Sequence, residues 1–208
     1  MAGADDVAAA LVRATDDASI RRVARRFAAL RPTEIDALLW SEHRPDRLAA
    51  LLILVEQYRA GRDPSTVVEQ LLDAARAERV DDEELVAVVA EPLLGDAHRE
   101  GSRNRFFQLA KSDIVWVRML ALLATGVFVK AGDPSTTLEL VERLAPERHP
   151  GMRQASATLM RAIGKRMPDT LIPFLERTAR RLPREVVLMA VEHLPADEAD
   201  RIRSLAKG

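Results

Sequence analysis

The sequence predicts an all-α fold in which helical repeats stack into a solenoid. Of the 208 residues, 48% are hydrophobic, 30% are charged and only 4% are aromatic. The most abundant residues are Ala, Leu, Val, Arg and Glu, and most of them are good helix formers. The chain also repeats itself at a spacing of about 35 residues, which is typical of helical solenoids. Turn residues at matching places in the repeats would end one helix and begin the next.

The repeat is clearest in two segments of the chain. Residues 47–61 are RLAALLILVEQYRAG, and residues 118–132 are RMLALLATGVFVKAG. Asp-Pro-Ser-Thr follows both segments, at 63–66 and 133–136, which is a shift of 70 residues. This shift is best explained as two repeat units.

A third, weaker copy sets the length of one unit. It begins at Arg153, which lies 35 residues after Arg118. The clearest copies span 47–78, 118–145 and 153–181. Since no Gly-Ser linker or low-complexity tract divides the chain, we expect a single repeat domain over 1–208.

Each clear copy contains the signals of a helix, a tight turn and a second helix. In the first copy, apolar residues follow the i, i+3, i+4, i+7 spacing of a buried face, at Leu48, Leu51, Leu52 and Val55. Gly61 and Gly132 lie where helices should end. The Asp-Pro pairs at 63–64 and 133–134 are expected to cap the next helix and to place proline at its first position.

One such helix pair cannot bury its apolar face alone, so neighbouring pairs must stack. The same signals predict helices near 5–14, 18–30, 33–41, 45–61, 64–78, 82–94, 98–111, 113–131, 135–145, 150–166, 169–181, 184–194 and 197–206.

Composition and motifs exclude several classes of protein. The chain has no cysteine, so it has no disulfide and no thiolate metal site. Its four histidines lack the spacing of ligand motifs, and no phosphate-binding loop is present, so neither a metal nor a cofactor is expected. The acidic start is not a secretory signal, and the apolar stretch 48–55 is too short to span a membrane. We therefore expect a cytoplasmic monomer.

Charge is distributed unevenly along the chain. The formal net charge is −1. Residues 1–99 contain 13 Lys/Arg and 19 Asp/Glu, whereas residues 100–208 contain 18 and 13. A nucleic-acid surface would therefore lie on the C-terminal half. The alternative is that these charges belong to ordinary solvated helix faces.

Arginines recur at matching places in the repeats. Arg47, Arg118 and Arg153 each lie at the start of the first helix of a unit, so stacking should align them along one edge. A file of arginines could follow a phosphate backbone. The alternative is that these arginines form salt bridges inside the scaffold.

The order of segments adds a family resemblance. Residues 109–133 (LAKSDIVWVRMLALLATGVFVKAGD) contain a Trp-containing helix, and residues 149–176 (HPGMRQASATLMRAIGKRMPDTLIPFLE) contain Gly-Lys-Arg. In order and spacing, the chain from about residue 19 to 195 resembles the AlkD-type DNA alkylation repair family. That family has a Trp-x-x-Arg helix and a segment ending in Leu-Arg-Glu-x-Gly-Lys-Arg at these places.

The resemblance implies HEAT-like repeats that form an α-α superhelix and hold duplex DNA in a basic concave groove. Active members of the family are DNA glycosylases that excise positively charged N-alkylated purines. A carboxylate stabilises the positive charge that develops on the sugar, and aromatic residues flank the lesion.

The resemblance also places the family's catalytic residues, and this chain differs there. The position of the catalytic Asp is Ala87, that of the active-site Arg is Met119, and that of a Trp is Thr158. Neighbouring framework residues such as Trp116 and Gly164 persist. We therefore expect a protein that has lost the family's glycosylase chemistry.

The leading hypothesis is a DNA-binding protein without this chemistry. The residues expected to contact DNA are Lys111, Trp116, Arg118, Arg153, Arg161, Lys165 and Arg166. One alternative is a protein-protein interaction scaffold built from the same repeats. The other is an active N-alkylpurine glycosylase in which Glu83 or Glu84 supplies the carboxylate.

Overall fold

The fold consists of helices joined by short turns. The computed structural model describes residues 2–14 and 16–206, and it contains no strand among them. The α-helices are α1 (Ala4–Leu11), α2 (Asp17–Arg26), α3 (Pro32–Leu39), α4 (Arg44–Arg59), α5 (Pro64–Arg76), α6 (Glu83–Val89), α7 (Asn104–Leu109), α8 (Val115–Ala124), α9 (Gly126–Lys130), α10 (Ser135–Arg143), α11 (Pro150–Arg166), α12 (Pro168–Thr178), α13 (Arg184–Ala190) and α14 (Ala196–Leu205). A π-helix at Ala90–Gly95 directly follows α6. The predicted all-α, helical-repeat fold is confirmed.

Three predicted helices differ by more than four residues at an end, or are divided, in the structure. The helix expected over 98–111 is confined to Asn104–Leu109. The helix expected over 82–94 becomes a π-helix after Val89. Pro92 has no N–H, so it cannot donate the i→i−4 bond of an α-helix there. The helix expected over 113–131 is divided at Thr125, which is fully buried and donates its hydroxyl to the Leu122 carbonyl at 2.6 Å. Such side-chain bonding to the preceding turn bends helices.

The turn chemistry of the repeats follows the sequence signals. Gly61 and Gly132 have φ of +86° and +88°, which is the left-handed conformation that favours glycine. Asp63 caps α5 by accepting from the Thr66 amide at 2.9 Å, as predicted. The second copy differs because Asp133 accepts from Ser135, and α10 begins at Ser135 rather than at Pro134.

Contacts between Cα atoms divide the chain into two compact units, Met1–Ala97 and His98–Gly208. The single repeat domain expected over 1–208 stays a prediction. In the first unit, α4 packs between α2 and α6 and also contacts α3 and α5. Gln70 of α5 joins α3 by donating to the Pro32 carbonyl at 3.0 Å and to the Asp36 carboxylate at 2.7 Å.

The second unit repeats this arrangement around α11. Helix α11 packs between α8 and α13, and α12 packs on α11 and α14. Gly164 permits the close approach of α11 and α13, because a Cβ atom at this position would lie 2.7 Å from the Ala190 carbonyl oxygen. The glycine retained from the family's Gly-Lys-Arg segment therefore has a packing role.

Replacing Gly164 by Ala should destabilise the protein by about 1–3 kcal/mol, because the added methyl meets backbone rather than a flexible side chain. The free energy of unfolding in urea measures this. Gln154→Ala is the matched control, since Gln154 is exposed on the same helix, and we expect a change within about 0.5 kcal/mol. If Gly164→Ala instead stabilised the protein, as helix propensity alone predicts, the packing explanation would be wrong.

Candidate nucleic-acid interface

Arg47, the fourth residue of α4, is almost completely buried, with 7% of its surface exposed. Its guanidinium donates to the carbonyl oxygens of Ser41 and Glu42 at 3.1 and 3.2 Å. It also pairs with Asp81, which precedes α6, at 2.9 Å. The side chain therefore ties the first helix of one repeat both to its own leading turn and to the next repeat.

Arg118 and Arg153 lie at the same place in α8 and α11 and form matching contacts. Arg118 donates to the Ser112 carbonyl at 2.8 Å and pairs with Glu147, which precedes α11. Arg153 donates to the Glu147 carbonyl at 3.4 Å and pairs with Glu185 of α13 at 2.9 Å. In each case the carbonyl lies six residues before the arginine. We call the pairs Arg47–Asp81, Arg118–Glu147 and Arg153–Glu185 the arginine bridges.

The arginine bridges occupy two of the residues expected to contact DNA, namely Arg118 and Arg153. The Arg118 side chain is only 18% exposed and Glu147 only 19%, so this cation already has a shielded partner. Arg161 differs. It pairs with Glu192 at 2.7 Å, but both side chains are 46% exposed. A pair this exposed contributes little to stability and can be exchanged for another anion.

Glu147 is held ionised by its surroundings. Burial opposes its ionisation, but hydrogen bonds from Arg118 and from the amides of His149 and Arg148 outweigh this and hold the pKa of the carboxyl below its usual range. Arg118 in the first turn of α8 and the amides that lead into α11 thus donate to the same carboxylate.

Trp116 is half-buried rather than presented to solvent. Its ring meets that of His149 edge to face, with centroids 5.1 Å apart. The Nδ1 atom of His149 accepts from the Gly151 amide at 3.2 Å and so caps α11. Trp116 therefore packs against the turn that begins α11, and its predicted contact with DNA stays a prediction.

Helix α11 has a single exposed stripe. Its members follow the i, i+4, i+7, i+11 spacing of one helix face and are Gln154, Thr158, Arg161 and Lys165. The Lys165 side chain forms no hydrogen bond or ion pair with the described residues, and the same holds for the side chain of the exposed Lys111. Arg166 is exposed and donates to the Lys130 carbonyl at 3.1 Å.

The three positions matched to the family's catalysts lie in different environments. Ala87 is exposed on α6, and Thr158 is exposed on α11. Met119 is 1% exposed and belongs to the core of the second unit. A side chain at Met119 could not reach a ligand without repacking that core.

The acidic run before α6 has a structural role. Asp82 caps the helix by accepting from the Leu85 amide at 2.9 Å. Arg44 pairs with Asp82 at 2.6 Å and also with Glu84. Burial acts to raise the pKa of Asp82, but the Arg44 and Leu85 hydrogen bonds lower it below its usual range. Glu83 is exposed.

Sequence reasoning missed a group of cations in the first unit. Arg21 and Arg25 are exposed on α2, and their side chains form no hydrogen bond or ion pair with the described residues. The Arg-Arg pairs at 21–22 and 25–26 are the sequence signal of this group, but the net negative charge of residues 1–99 conceals it.

Three or more metal-binding side chains do not come together anywhere within residues 2–14 and 16–206. In the same residues, no helix is long and apolar enough to cross a membrane.

These features define an all-α, helical-repeat protein with arginine bridges between successive repeats and separate exposed cations. A family model described as DNA alkylation repair enzyme matches residues 12–194. The chain therefore belongs to the DNA alkylation repair family, and the AlkD-type resemblance is confirmed.

A solved structure supports the fold. The crystal structure of AlkD2 from Streptococcus mutans is similar with a TM-score of 0.53, at 13% sequence identity, over 100% of this chain and 89% of that chain. At this identity the likeness concerns the fold alone. No curated protein matches the chain.

Replacing Glu147 by Gln should lower the free energy of unfolding at pH 7 by about 1–2 kcal/mol, because Arg118 loses its buried anion. A carboxyl whose pKa is depressed by folding stabilises the protein above its unfolded pKa of about 4.3 and loses this contribution as pH falls through the folded pKa. The variant should therefore lose less stability than the wild type between neutral and acidic pH, as measured by urea unfolding at a series of pH values.

The matched control is Glu139→Gln. Glu139 pairs with Arg143 at 2.5 Å on the surface of α10, with both side chains about half exposed, so we expect a change within about 0.5 kcal/mol. Parallel pH curves for the wild type and Glu147→Gln would show that the Arg118–Glu147 bridge is not a stabilising ion pair.

Proposed function

We propose that the protein binds duplex DNA through exposed cations and does not excise alkylated bases. The observation that carries this proposal is the exposed stripe of α11, on which Arg161 and Lys165 follow Thr158, the position of the family's aromatic residue. DNA is proposed as the ligand because the chain belongs to the DNA alkylation repair family. A cytoplasmic location and a monomeric state are part of the proposal.

The cations proposed to contact phosphates are the exposed ones. Lys111 and Lys165 have no partner among the described residues, and Arg166 binds only a carbonyl oxygen. Arg161 can exchange Glu192 for a phosphate because that ion pair is exposed to solvent. Contacts of this kind give affinity without sequence selection and are sensitive to salt. The half-buried Trp116 is also proposed to contact DNA.

Arg118 and Arg153 are proposed to act as positioning residues. Their guanidinium groups already bind carbonyl oxygens and a carboxylate. Redirecting Arg118 to a phosphate would leave Glu147 shielded from water without its partner, which is costly. They therefore support the surface by fixing α8 and α11 on their neighbours.

The proposed loss of glycosylase activity rests on the absence of a free carboxylate at the matched position. Excision of an alkylated purine develops positive charge on the sugar and needs an anion beside it. Ala87 offers a methyl group at the matched position, and Glu84, three residues earlier, is paired with Arg44. The buried Met119 offers no second polar group. This arrangement supports binding rather than catalysis.

The test is duplex DNA binding from low to moderate salt, with one duplex carrying a charged alkylated purine, while released base is monitored. We expect affinity that falls steeply with salt, no preference for the lesion and no base release. Lys165→Ala should reduce the slope of log affinity against log salt by about 0.9, the effect of one lost phosphate contact. Arg203→Ala is the matched control, since Arg203 lies on α14 rather than on the stripe of α11 and should leave the slope unchanged.

Two results would contradict the proposal in different ways. Absence of binding at low salt would remove DNA as the ligand and favour the protein-protein scaffold. Release of base would restore the glycosylase hypothesis, and loss of that release in Glu84→Gln would identify the relocated carboxylate.

A further inference from the structure

The first unit contains an open cleft over α4, and its residues are not among those proposed above to contact DNA. The cleft has a volume of about 130 Å³ and lies between α2 on one side and α6 with the π-helix on the other. Its apolar floor is formed by Leu52 and Val55 of α4 and by Val88 and Pro92. The π-helix created at Pro92 thus shapes one wall of the cleft.

Three guanidinium groups surround this floor. Arg21 and Arg25 are four residues apart on one face of α2, and Arg59 is the last residue of α4. Glu56 is the acidic residue of the lining, and it pairs with Arg59 at 3.1 Å. Arg21 and Arg25 form no ion pair with the described residues. Three cations therefore face one carboxylate.

Like charges four residues apart destabilise a helix, so Arg21 and Arg25 carry a small electrostatic cost that an anion would relieve. Guanidinium groups bind phosphate oxygens in a two-pronged geometry that suits their planar shape. The apolar floor provides a surface for the carbon atoms of a group attached to that phosphate. We propose that this cleft is a phosphate-binding site, which takes a phosphate group carried on a sugar.

The sign of the cleft's charge also bears on the lost chemistry. Val88, in the floor of the cleft, directly follows Ala87, the position matched to the family's catalytic carboxylate. A cluster of cations there opposes the development of positive charge on a sugar, whereas it attracts the phosphate of the same nucleotide. The site is thus suited to holding a nucleotide rather than to cleaving it.

The phosphate can come from a free nucleotide or from the backbone of bound DNA, and the second source rests on the proposed function. In the first arm of the test, thymidine 5′-monophosphate is titrated into the full-length protein at low salt and followed by calorimetry. The double variant Arg21→Ala/Arg25→Ala should weaken this binding about tenfold or more, because charge-assisted hydrogen bonds are lost. Glu56→Gln should tighten it by releasing Arg59.

The matched control is Arg22→Ala/Arg26→Ala, which removes the same charge from α2 at exposed residues outside the cleft lining. It should leave thymidine 5′-monophosphate binding unchanged. In the second arm, the two double variants are compared for duplex DNA binding. Loss of the cleft arginines should reduce the salt slope by about 0.9, equal to one phosphate, whereas the control should not.

The outcomes separate the two proposals. Nucleotide binding that depends on Arg21 and Arg25, without any DNA binding, would support the cleft and contradict the proposed function. DNA binding that the two double variants share equally, without nucleotide binding, would overturn the cleft and leave the proposed function standing.

Discussion

The arginine bridge is the interaction on which the arrangement of the helices depends. A helix with a long apolar face fixes its neighbours only loosely, because hydrophobic contact has no direction. Each bridge adds direction, since one guanidinium is bound at once to the turn that starts its own helix and to the first acidic residue of the following repeat. Because only 7% of Arg47 is exposed, its guanidinium has little access to water as a substitute partner. Breaking the bridge therefore leaves buried polar groups unpaired.

Because some arginines are paired within the scaffold, the number of cations in each half of the chain does not give the charge available to a ligand. Counting cations along the sequence overestimates the positive surface of the second unit, because Arg118 is neutralised by the shielded Glu147 and Arg153 is paired with Glu185. The same count underestimates the first unit, whose net negative charge conceals the unpaired Arg21 and Arg25. What matters for a polyanionic ligand is therefore the set of cations without a partner.

Much of the fold was predictable because its signals are local. The repeat length, the left-handed Gly61 and Gly132, and the Asp63 cap follow from short stretches of sequence. The partners of the bridging arginines could not be predicted in this way, since the acids lie 29 to 34 residues away. Burial of Met119 and the cleft over α4 likewise arise from packing between helices. Whether these arginines contact DNA or belong to the scaffold depends on acids that are distant in the sequence.

The central claim is that bridging arginines hold the fold and other cations hold DNA. The most direct measurement is the salt dependence of duplex affinity for Arg118→Gln, made together with its free energy of unfolding. The account predicts an unchanged salt slope and a loss of about 2–3 kcal/mol of stability, because the bridge to Glu147 is removed. A salt slope reduced by about 0.9 with stability unchanged would show that Arg118 contacts a phosphate and would contradict the account.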